Sequence, residues 1–227
     1  MTSQLRTTVV IPTRNEEGLI GEMIESVRSY ADEILVVDGH STDRTRDIAT
    51  EHGARVILDG GRGKGEALRM ALQAADCDIV VFIDADGSHD ARDIPRLTAP
   101  IHAGAADFVI GSRDKGGSDE LHGTFSQFIR YAGSQVFMLA INYRWNVRLT
   151  DSQNGFRAIK RDVGRKLKLR SNLTTIEQEM LIRALKQGYK VSEVGTHEYE
   201  RRWGTSKVVV GRLWLAYVWS FLRDFFF

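Results

Sequence analysis

The stretch DIVVFIDAD (78–86) decides the fold of this 227-residue chain. Five consecutive apolar residues, 79–83, run directly into two carboxylates, Asp84 and Asp86. An unbroken apolar run of this length, bounded by polar residues, indicates a strand that is buried on both faces of a sheet. Two carboxylates directly after it repel each other where the chain leaves the core, and a bound cation would relieve that repulsion.

Similar strands and helices alternate around this stretch. The pattern predicts strands at 7–12, 33–38, 54–58 and 107–111, and helices at 15–28, 41–53, 66–75 and 93–104, with Asn15 as the N-cap of the first helix. After residue 114 the alternation weakens, with predicted helices at 123–141 and 176–187 and strands at 156–160 and 189–195. We therefore predict an α/β fold with a mostly parallel sheet and helices on both faces.

Composition excludes several classes of protein. A single cysteine, Cys77, excludes a disulfide framework and a cysteine-based zinc cluster. No uncharged apolar run reaches the 18 residues of an ordinary membrane-spanning helix, and the apolar run at the N-terminus is too short for a secretory signal. The near-neutral chain is divided in charge, with 12 basic and 19 acidic residues through Arg113 and 19 basic and 11 acidic residues after it. A basic half suits an anionic lipid or phosphate, whereas the alternative is an unevenly charged solvated surface.

Polar residues follow each predicted strand, where parallel sheets bind ligands. Asp84 and Asp86 are suited to Mg²⁺ or Mn²⁺, which prefer carboxylate oxygen and can bridge to substrate phosphates; the alternative is a solvated acidic turn. The loop GGRGKG (60–65) contains Lys64, which can meet phosphate, although its spacing is not that of a P-loop and a plain turn is the alternative.

Eight segments in order resemble family 2 glycosyltransferases with the GT-A fold, a Rossmann-like fold, and among them the dolichyl- or polyprenyl-phosphate hexosyltransferases. The segments are VVIPTRNEE (9–17), ILVVDGHSTDRT (34–45), GRGKGEAL (61–68), VVFIDADGSHDARDIPRL (80–97), DFVIGSR (107–113), LTDSQNGFRAIKR (149–161), IEQEMLIRALKQGYKVSEV (176–194) and RRWGTSK (201–207). Together they span almost the whole chain short of its last twenty residues.

The resemblance implies an inverting, metal-dependent transfer of a hexose from a nucleotide-diphosphate sugar to polyprenyl or dolichyl phosphate, with no nucleic-acid partner. It places a nucleotide site, a metal site for Mg²⁺ or Mn²⁺, an acceptor-phosphate site and a segment that closes over the donor diphosphate. The implied nucleotide site contains Pro12, Arg14, Glu16, Asp38 and Lys64, and the implied metal site contains Asp84, Asp86 and Ser88. The implied acceptor-phosphate site contains Arg113, Arg130 and Ser134, and the segment that closes over the donor diphosphate contains Arg201, Ser206 and Lys207.

The chain departs from the family pattern at two sites. Gly39 replaces a second aspartate after the second strand, and Gly87-Ser88 replaces the Leu-Gln of many mannosyl enzymes. The donor therefore stays open among UDP-glucose, UDP-N-acetylglucosamine and GDP-mannose. The alternative functions are transfer to a non-lipid acceptor and a non-catalytic nucleotide-sugar-binding scaffold.

Three further residues near these segments carry expectations. His89 is expected at the surface, because an ordinary surface histidine is commoner than a ligand at such a position. Glu177 and Glu179 match the start of a family helix, and one of them is expected to contact the donor sugar; the alternative is that acidic residues are favoured there by the helix dipole alone.

The last twenty residues, VVVGRLWLAYVWSFLRDFFF (208–227), are rich in aromatic side chains. We divide the chain into a catalytic domain, 1–207, and this amphipathic tail, and we expect the tail to lie in the membrane interface on the cytoplasmic face, as a peripheral attachment without a transmembrane span. The alternatives are packing against the catalytic domain or against a second subunit in a homodimer.

Overall fold

The computed structural model describes residues 5–119, 125–203 and 210–227, and it describes the side chains of the last two ranges from residues 131 and 215 onward. These residues form one sheet of seven strands in the order β3-β2-β1-β4-β6-β5-β7. The strands are β1 (Thr7–Thr13), β2 (Glu33–Asp38), β3 (Arg55–Leu58), β4 (Ile79–Phe82), β5 (Phe108–Ser112), β6 (Arg157–Lys160) and β7 (Val191–Gly195).

Strand direction explains how distant segments reach one edge of the sheet. β1 pairs in parallel with β2 and β4, β2 with β3, and β5 with β7, whereas β6 is antiparallel to both β4 and β5. The residues that precede β6 therefore lie at the same edge as the residues that follow the parallel strands. The sequence TDSQNGF (150–156) reaches the carboxyl edge for this reason.

Helices cover both faces of the sheet. They are α1 (Ile20–Val27), α2 (Thr45–Glu51), α3 (Lys64–Ala74), α4 (Ile94–His102), α5 (Arg113–Gly116), α6 (Phe125–Trp145), α7 (Arg161–Lys166), α8 (Ile176–Lys186) and α9 (Val210–Phe226). One apolar core joins the sheet to α3, α6, α8 and α9, and a second joins it to α1 and α4. The two cores confirm the predicted α/β class, since each face of a mostly parallel sheet needs its own cover.

Several predicted helix starts were wrong, including that of α2, which begins at Thr45 and not at residue 41. Two others have a visible cause in the backbone. α1 begins at Ile20 and not at Asn15, which has a φ of 58° and accepts a hydrogen bond from the Thr42 amide at 2.8 Å. α3 begins at Lys64, inside the segment predicted as a loop, directly after Gly63 with a φ of 115°. In both places a residue in the left-handed region bends the chain, which apolar spacing does not reveal.

The tail helix α9 packs against α6 and α8 along one face. Phe221 stacks on Phe137 of α6 with ring centroids 4.5 Å apart, and Phe225 meets the edge of Trp145 at 5.3 Å. The buried Asp224 lies 3.4 Å from the guanidinium of Arg183 on α8. No helix among residues 5–119, 125–203 and 210–227 is long and apolar enough to cross a membrane.

Candidate functional site

The loops after β1 and β2 interlock and form the first part of the site. The Ser41 hydroxyl accepts a hydrogen bond from the Asn15 amide, and the Thr45 hydroxyl accepts one from the Glu16 amide, each at 2.8 Å. Arg14 lies exposed on this loop, and Pro12 lies half-buried in β1 beside β2. These predicted nucleotide-binding residues are therefore brought together at the carboxyl edge of the sheet.

Asp38 lies beneath this loop with no exposed surface. Its carboxylate accepts hydrogen bonds from both the amide and the hydroxyl of Ser41, and the guanidinium of Arg46 lies 3.7 Å away. In this arrangement Asp38 supports the loop from below. Its predicted contact with a nucleoside stays a prediction.

The turn after β4 holds Asp86 in a compact set of contacts. The Ser88 amide and hydroxyl donate to Oδ1 of Asp86 at 3.1 and 2.7 Å, and a guanidinium nitrogen of Arg201 lies 3.3 Å from Oδ2. Gly87 allows the turn with a φ of 76°. At this turn Arg201, which is predicted to bind the donor diphosphate, therefore meets Asp86 and Ser88, which are predicted to bind the metal.

Asp84 belongs to a second cluster that involves three elements. The Lys64 ammonium at the start of α3 lies 2.6 Å from Oδ1 of Asp84 and 3.1 Å from Oε1 of Glu177 at the start of α8. Burial alone would lower the pKa of Lys64, but the two carboxylates raise it above its ordinary value. Lys64 is therefore a permanent cation between two anions. We call Asp84, Lys64 and Glu177 the charge triad.

Arg113, predicted to receive the acceptor phosphate, is tied to two carboxylates. Its guanidinium makes a bidentate pair with Asp151 at 2.6 and 3.0 Å, and it lies 3.4 Å from Glu198. Burial alone would raise the pKa of Asp151, but the charge of Arg113 holds that pKa below its ordinary value. Asp151 and Glu198 were not predicted, because no spacing links three residues that three different segments supply.

His89 was expected at the surface, and that expectation was wrong. Only 6% of its surface is exposed, and its ring stacks on Phe156 with centroids 5.1 Å apart. Its electrostatic neighbours include Asp84, Glu198 and Arg113, so it lies between the charge triad and the Arg113–Asp151 pair. Burial lowers the pKa of His89 and favours the neutral ring at neutral pH.

The two glutamates at the start of α8 differ in role. Glu177 belongs to the charge triad, whereas Glu179 is fully buried, accepts hydrogen bonds from the Arg170 and Ser171 amides and pairs with Arg183 at 2.7 Å. Glu179 is therefore structural, and of the two only Glu177 stays a candidate for contact with the donor.

Arg157 is a buried support that the sequence analysis missed. It has no exposed surface, and it donates hydrogen bonds to the main-chain carbonyls of Asn154 and Glu177. It thereby joins the start of β6 to the start of α8. A basic residue inside the apolar strand segment FRAIK (156–160) was the available signal.

Two predicted residues lie outside the residues that the structure describes, and a third is described only in its backbone. Ser206 and Lys207 fall outside the described residues, and so does the side chain of Arg130, although its backbone belongs to α6. Ser134 lies one helical turn after Arg130 on α6, and its hydroxyl donates to the Tyr131 carbonyl at 2.7 Å. Residues 130 and 134 therefore share one face of the helix, as the acceptor prediction requires.

Buried polar atoms without a hydrogen-bond partner gather at this edge of the sheet. Within the described residues they include Thr13 Oγ1, His89 Nδ1, Ser152 Oγ and Glu177 Oε2. An unsatisfied buried polar atom costs about 1–3 kcal/mol, so several of them in one place call for an explanation. A polar ligand with hydroxyl and phosphate groups would supply the absent partners.

The turn also fits a divalent cation that shares its ligands with a substrate. Asp84, Asp86 and the Ser88 hydroxyl supply the hard oxygen atoms that Mg²⁺ and Mn²⁺ prefer. Among the described residues no group of three or more His, Cys, Asp or Glu side chains is arranged to hold a metal. A cation here would therefore take its remaining ligands from water or from a bound phosphate.

Comparison with known proteins finds a matching family model and several similar proteins. The family model described as Glycosyl transferase family 2 matches residues 8–167. The chain is 32% identical over 203 residues to a dolichyl-phosphate hexose transferase of Haloferax volcanii, covering 88% of this chain and 85% of that protein. It is 33% identical over 225 residues to an undecaprenyl-phosphate mannosyltransferase of Micrococcus luteus, covering 91% of this chain and 89% of that protein.

A solved structure shares the fold. Glucosyl-3-phosphoglycerate synthase from Mycobacterium tuberculosis, crystallised with Mn²⁺, UDP and phosphoglyceric acid, has a TM-score of 0.75 to this chain at 24% identity, covering 98% of this chain and 79% of that one. The chain spans only 46% and 63% of the length of two other curated relatives that it matches.

Proposed function

The chain belongs to glycosyl transferase family 2, and from that membership and the site geometry we propose that it transfers a hexose from a nucleotide-diphosphate sugar to a polyprenyl phosphate. The observation that carries the proposal is the convergence, at one edge of the sheet, of the Asp84–Asp86 turn with Lys64, Arg201 and Arg113. Carboxylates for a cation beside cations for phosphate suit a reaction between two phosphate-bearing substrates.

The donor side contains the turn after β4 and the interlocked loops after β1 and β2. Asp84, Asp86 and Ser88 would hold Mg²⁺ or Mn²⁺, and that cation would stabilise the negative charge that develops on the leaving diphosphate. Arg201, held 3.3 Å from Asp86, would bind the same diphosphate. The proposal leaves the base and the sugar to experiment, with UDP-glucose, UDP-N-acetylglucosamine and GDP-mannose as the donors to test.

The acceptor side needs no strong general base. A phosphate monoester has a second pKa near 6 and is largely dianionic at neutral pH, so its oxygen is already a nucleophile. The inverted product follows when that oxygen attacks the anomeric carbon from the face opposite the diphosphate. The chain must instead reduce the repulsion between two anions, and Arg113, Arg130 and Ser134 are proposed to do so at the acceptor phosphate.

The lipid acceptor is supported by two independent observations. Two relatives that match over most of both chains are named for transfer to dolichyl phosphate and undecaprenyl phosphate. In addition, α6 and α9 expose apolar side chains along their outer faces: Val136, Leu139, Tyr143, Leu215, Trp219, Leu222 and Phe226. We call these seven residues the apolar patch, and we propose that it rests in the interface of the cytoplasmic leaflet.

The decisive experiment presents both substrates together. Purified full-length protein is incubated with Mg²⁺ or Mn²⁺, liposomes that contain a polyprenyl phosphate, and labelled UDP- and GDP-sugars one at a time. The expected result is label in the lipid fraction from one of the donors. The same liposomes without the polyprenyl phosphate are the matched control.

Two outcomes would overturn the proposal. Donor hydrolysis, or donor binding without a lipid product, would assign the site to a non-lipid acceptor. If the protein bound none of the donors with either metal, both the transfer reaction and the nucleotide-sugar-binding scaffold would be excluded.

A further inference from the structure

Lys64 occupies an electrostatically unfavourable position in the fold. It is the first residue of α3, where the positive end of the helix dipole disfavours a cation. Its side chain is only 24% exposed, so the ammonium is also largely removed from water. A cation in such a position is costly unless neighbouring carboxylates pair with it.

The charge triad compensates the positive charge of Lys64 and is exposed to solvent on one side. Glu177 is the buried end, with 3% of its side chain exposed, whereas the side chains of Lys64 and Asp84 are 24% and 27% exposed. The contact to Asp84 therefore lies on the solvent-exposed side of the triad, and the contact to Glu177 lies on its buried side. An ammonium that left Asp84 on the exposed side could stay near Glu177.

The triad closes around a glycine. A Cβ atom on Gly155 would lie 2.6 Å from Oδ2 of Asp84 and 2.9 Å from Nζ of Lys64. The main chain at the start of β6 therefore presses directly on the Lys64–Asp84 pair. The main chain closes this side of the carboxylate, and a cation that bound Oδ1 would have to replace the ammonium there.

We propose that Lys64 is an internal counter-ion that holds Asp84 until the donor and a divalent cation bind, and that it then exchanges Asp84 for the donor diphosphate. This inference rests on the proposed function and deepens it. Glu177 is the positioning residue that keeps the ammonium at the edge of the site in both arrangements. The exchange conserves charge locally, since the incoming cation takes the carboxylate and the released ammonium takes the incoming anion.

The exchange makes a distinctive prediction about metal binding. In the absence of nucleotide, Lys64 and a divalent cation compete for Asp84, so the wild-type protein binds Mn²⁺ weakly. With a UDP or GDP ligand present, the diphosphate accepts the ammonium and the competition disappears. A large tightening of Mn²⁺ by nucleotide is therefore expected, and Lys64 should be one of its causes.

The experiment measures Mn²⁺ binding to full-length protein by the electron paramagnetic resonance signal of free Mn²⁺, with and without UDP or GDP. We expect Lys64→Met to tighten nucleotide-free Mn²⁺ binding roughly tenfold or more, because the variant removes a positive charge that repels a second cation at Asp84. The same variant should show less tightening by nucleotide than the wild type. Neither measurement depends on turnover.

Two further variants isolate the cause. Lys160→Met removes a Lys–Asp pair with a 2.7 Å contact to Asp107 at the opposite edge of the sheet, and it should leave Mn²⁺ affinity unchanged. In the double variant Lys64→Met with Asp84→Asn, the gain in nucleotide-free affinity should disappear, because the gain depends on a freed Asp84. Thermal unfolding of each variant identifies any that fail to fold, and for such a case Lys64→Gln replaces Lys64→Met.

The outcomes separate this inference from the proposed function. If nucleotide and Mn²⁺ bind but Lys64→Met and Lys64→Gln match the wild type without nucleotide, the counter-ion exchange is wrong and the proposed function stands. If the wild-type protein binds neither UDP nor GDP with Mn²⁺, the proposed function itself fails. A gain that persists in the double variant would also overturn the exchange, since it would not come from Asp84.

Discussion

At the scale of single residues, Asp86 is the side chain on which we expect the proposed donor chemistry to depend most. Ser88 donates to one carboxylate oxygen and Arg201 lies beside the other, so the group is oriented before any substrate arrives. Asp84 differs, because Lys64 holds its Oδ1. The two carboxylates of this turn therefore have different partners, although they have the same chemistry and lie two residues apart.

We expect Asp86→Ala to lower kcat by roughly 10²–10³, the usual cost of losing one electrostatic contact to the transition state. The measurement is transfer of labelled sugar to polyprenyl phosphate at saturating Mn²⁺. Asp162→Asn is the matched control, since that carboxylate is 73% exposed on α7. Turnover of Asp86→Ala at the level of the control would contradict the role.

Arg130 tests the acceptor side. Its position one turn before Ser134 on α6 leads us to expect that Arg130→Ala raises the KM for polyprenyl phosphate at least tenfold and leaves the KM for the donor within about twofold, because a lost charge-assisted hydrogen bond is worth about 1.5–3 kcal/mol. Steady-state kinetics with each substrate varied in turn gives both constants. Arg96→Ala, which breaks an exposed pair with Asp93 on α4, is the control. An equal rise in both constants would count against the acceptor role.

At the scale of elements, α9 combines two faces with opposite requirements. Its inner face carries Phe221 and Asp224 into contact with α6 and α8, and its outer face carries Trp219 and Phe226. Asp224 pairs with Arg223 of the same helix at 2.7 Å and with Arg183 of α8 at 3.4 Å, so rotation of the helix would break only the contact with α8. The tail thus packs on its own domain and still presents an apolar surface.

We expect the double variant Trp219→Ser with Phe226→Ser to weaken binding to anionic liposomes at least tenfold, since each exposed aromatic side chain contributes about 1.5–3 kcal/mol when it is fully buried. Vesicle co-sedimentation measures this. Leu58→Ser changes an apolar side chain of similar exposure outside the apolar patch and should have no effect. If the wild type instead forms a dimer that the double variant loses, with no vesicle binding by either, the patch is a subunit interface.

At the scale of the whole molecule, the carboxyl edge is a region where burial and charge oppose each other. Burial alone would raise the pKa values of Asp84 and Asp151, yet Lys64 and Arg113 hold both below their ordinary values. A carboxylate with a lowered pKa stabilises the fold above its unfolded pKa, about 3.9 for aspartate, and that stability is lost as the pH falls further. The site therefore contributes to acid sensitivity below about pH 4.

Asp151→Asn tests this linkage. We expect the variant to be less stable than the wild type at pH 7, because Arg113 loses its bidentate partner, and to lose less of its remaining free energy of unfolding between pH 5 and pH 3. Urea unfolding at a series of pH values measures both. The exposed Asp162→Asn should follow the wild-type pH profile, and a parallel profile for Asp151→Asn would show that its pKa is not lowered.

The sequence by itself determined the parallel α/β pattern, the polar residues at the ends of its strands and the apolar period of the tail. Each of these is a local property: apolar runs record burial, and residues that follow parallel strands must share one edge. Asp38, Asp84, Asp86 and Arg113, which follow predicted strands, could therefore be assigned to one edge from the sequence alone. The resemblance in eight ordered segments added the family, which the comparisons confirm.

Only the tertiary structure decided which of these residues are partners. The antiparallel direction of β6 brings Asp151 to Arg113 and Gly155 to Lys64, and the short apolar segment of β6 does not record that this strand runs against its neighbours. The burial of His89 and the pairing of Lys64 with Glu177 likewise join segments 67 or more residues apart. Such contacts depend on how separate elements pack, and no local pattern records the free energy of that packing.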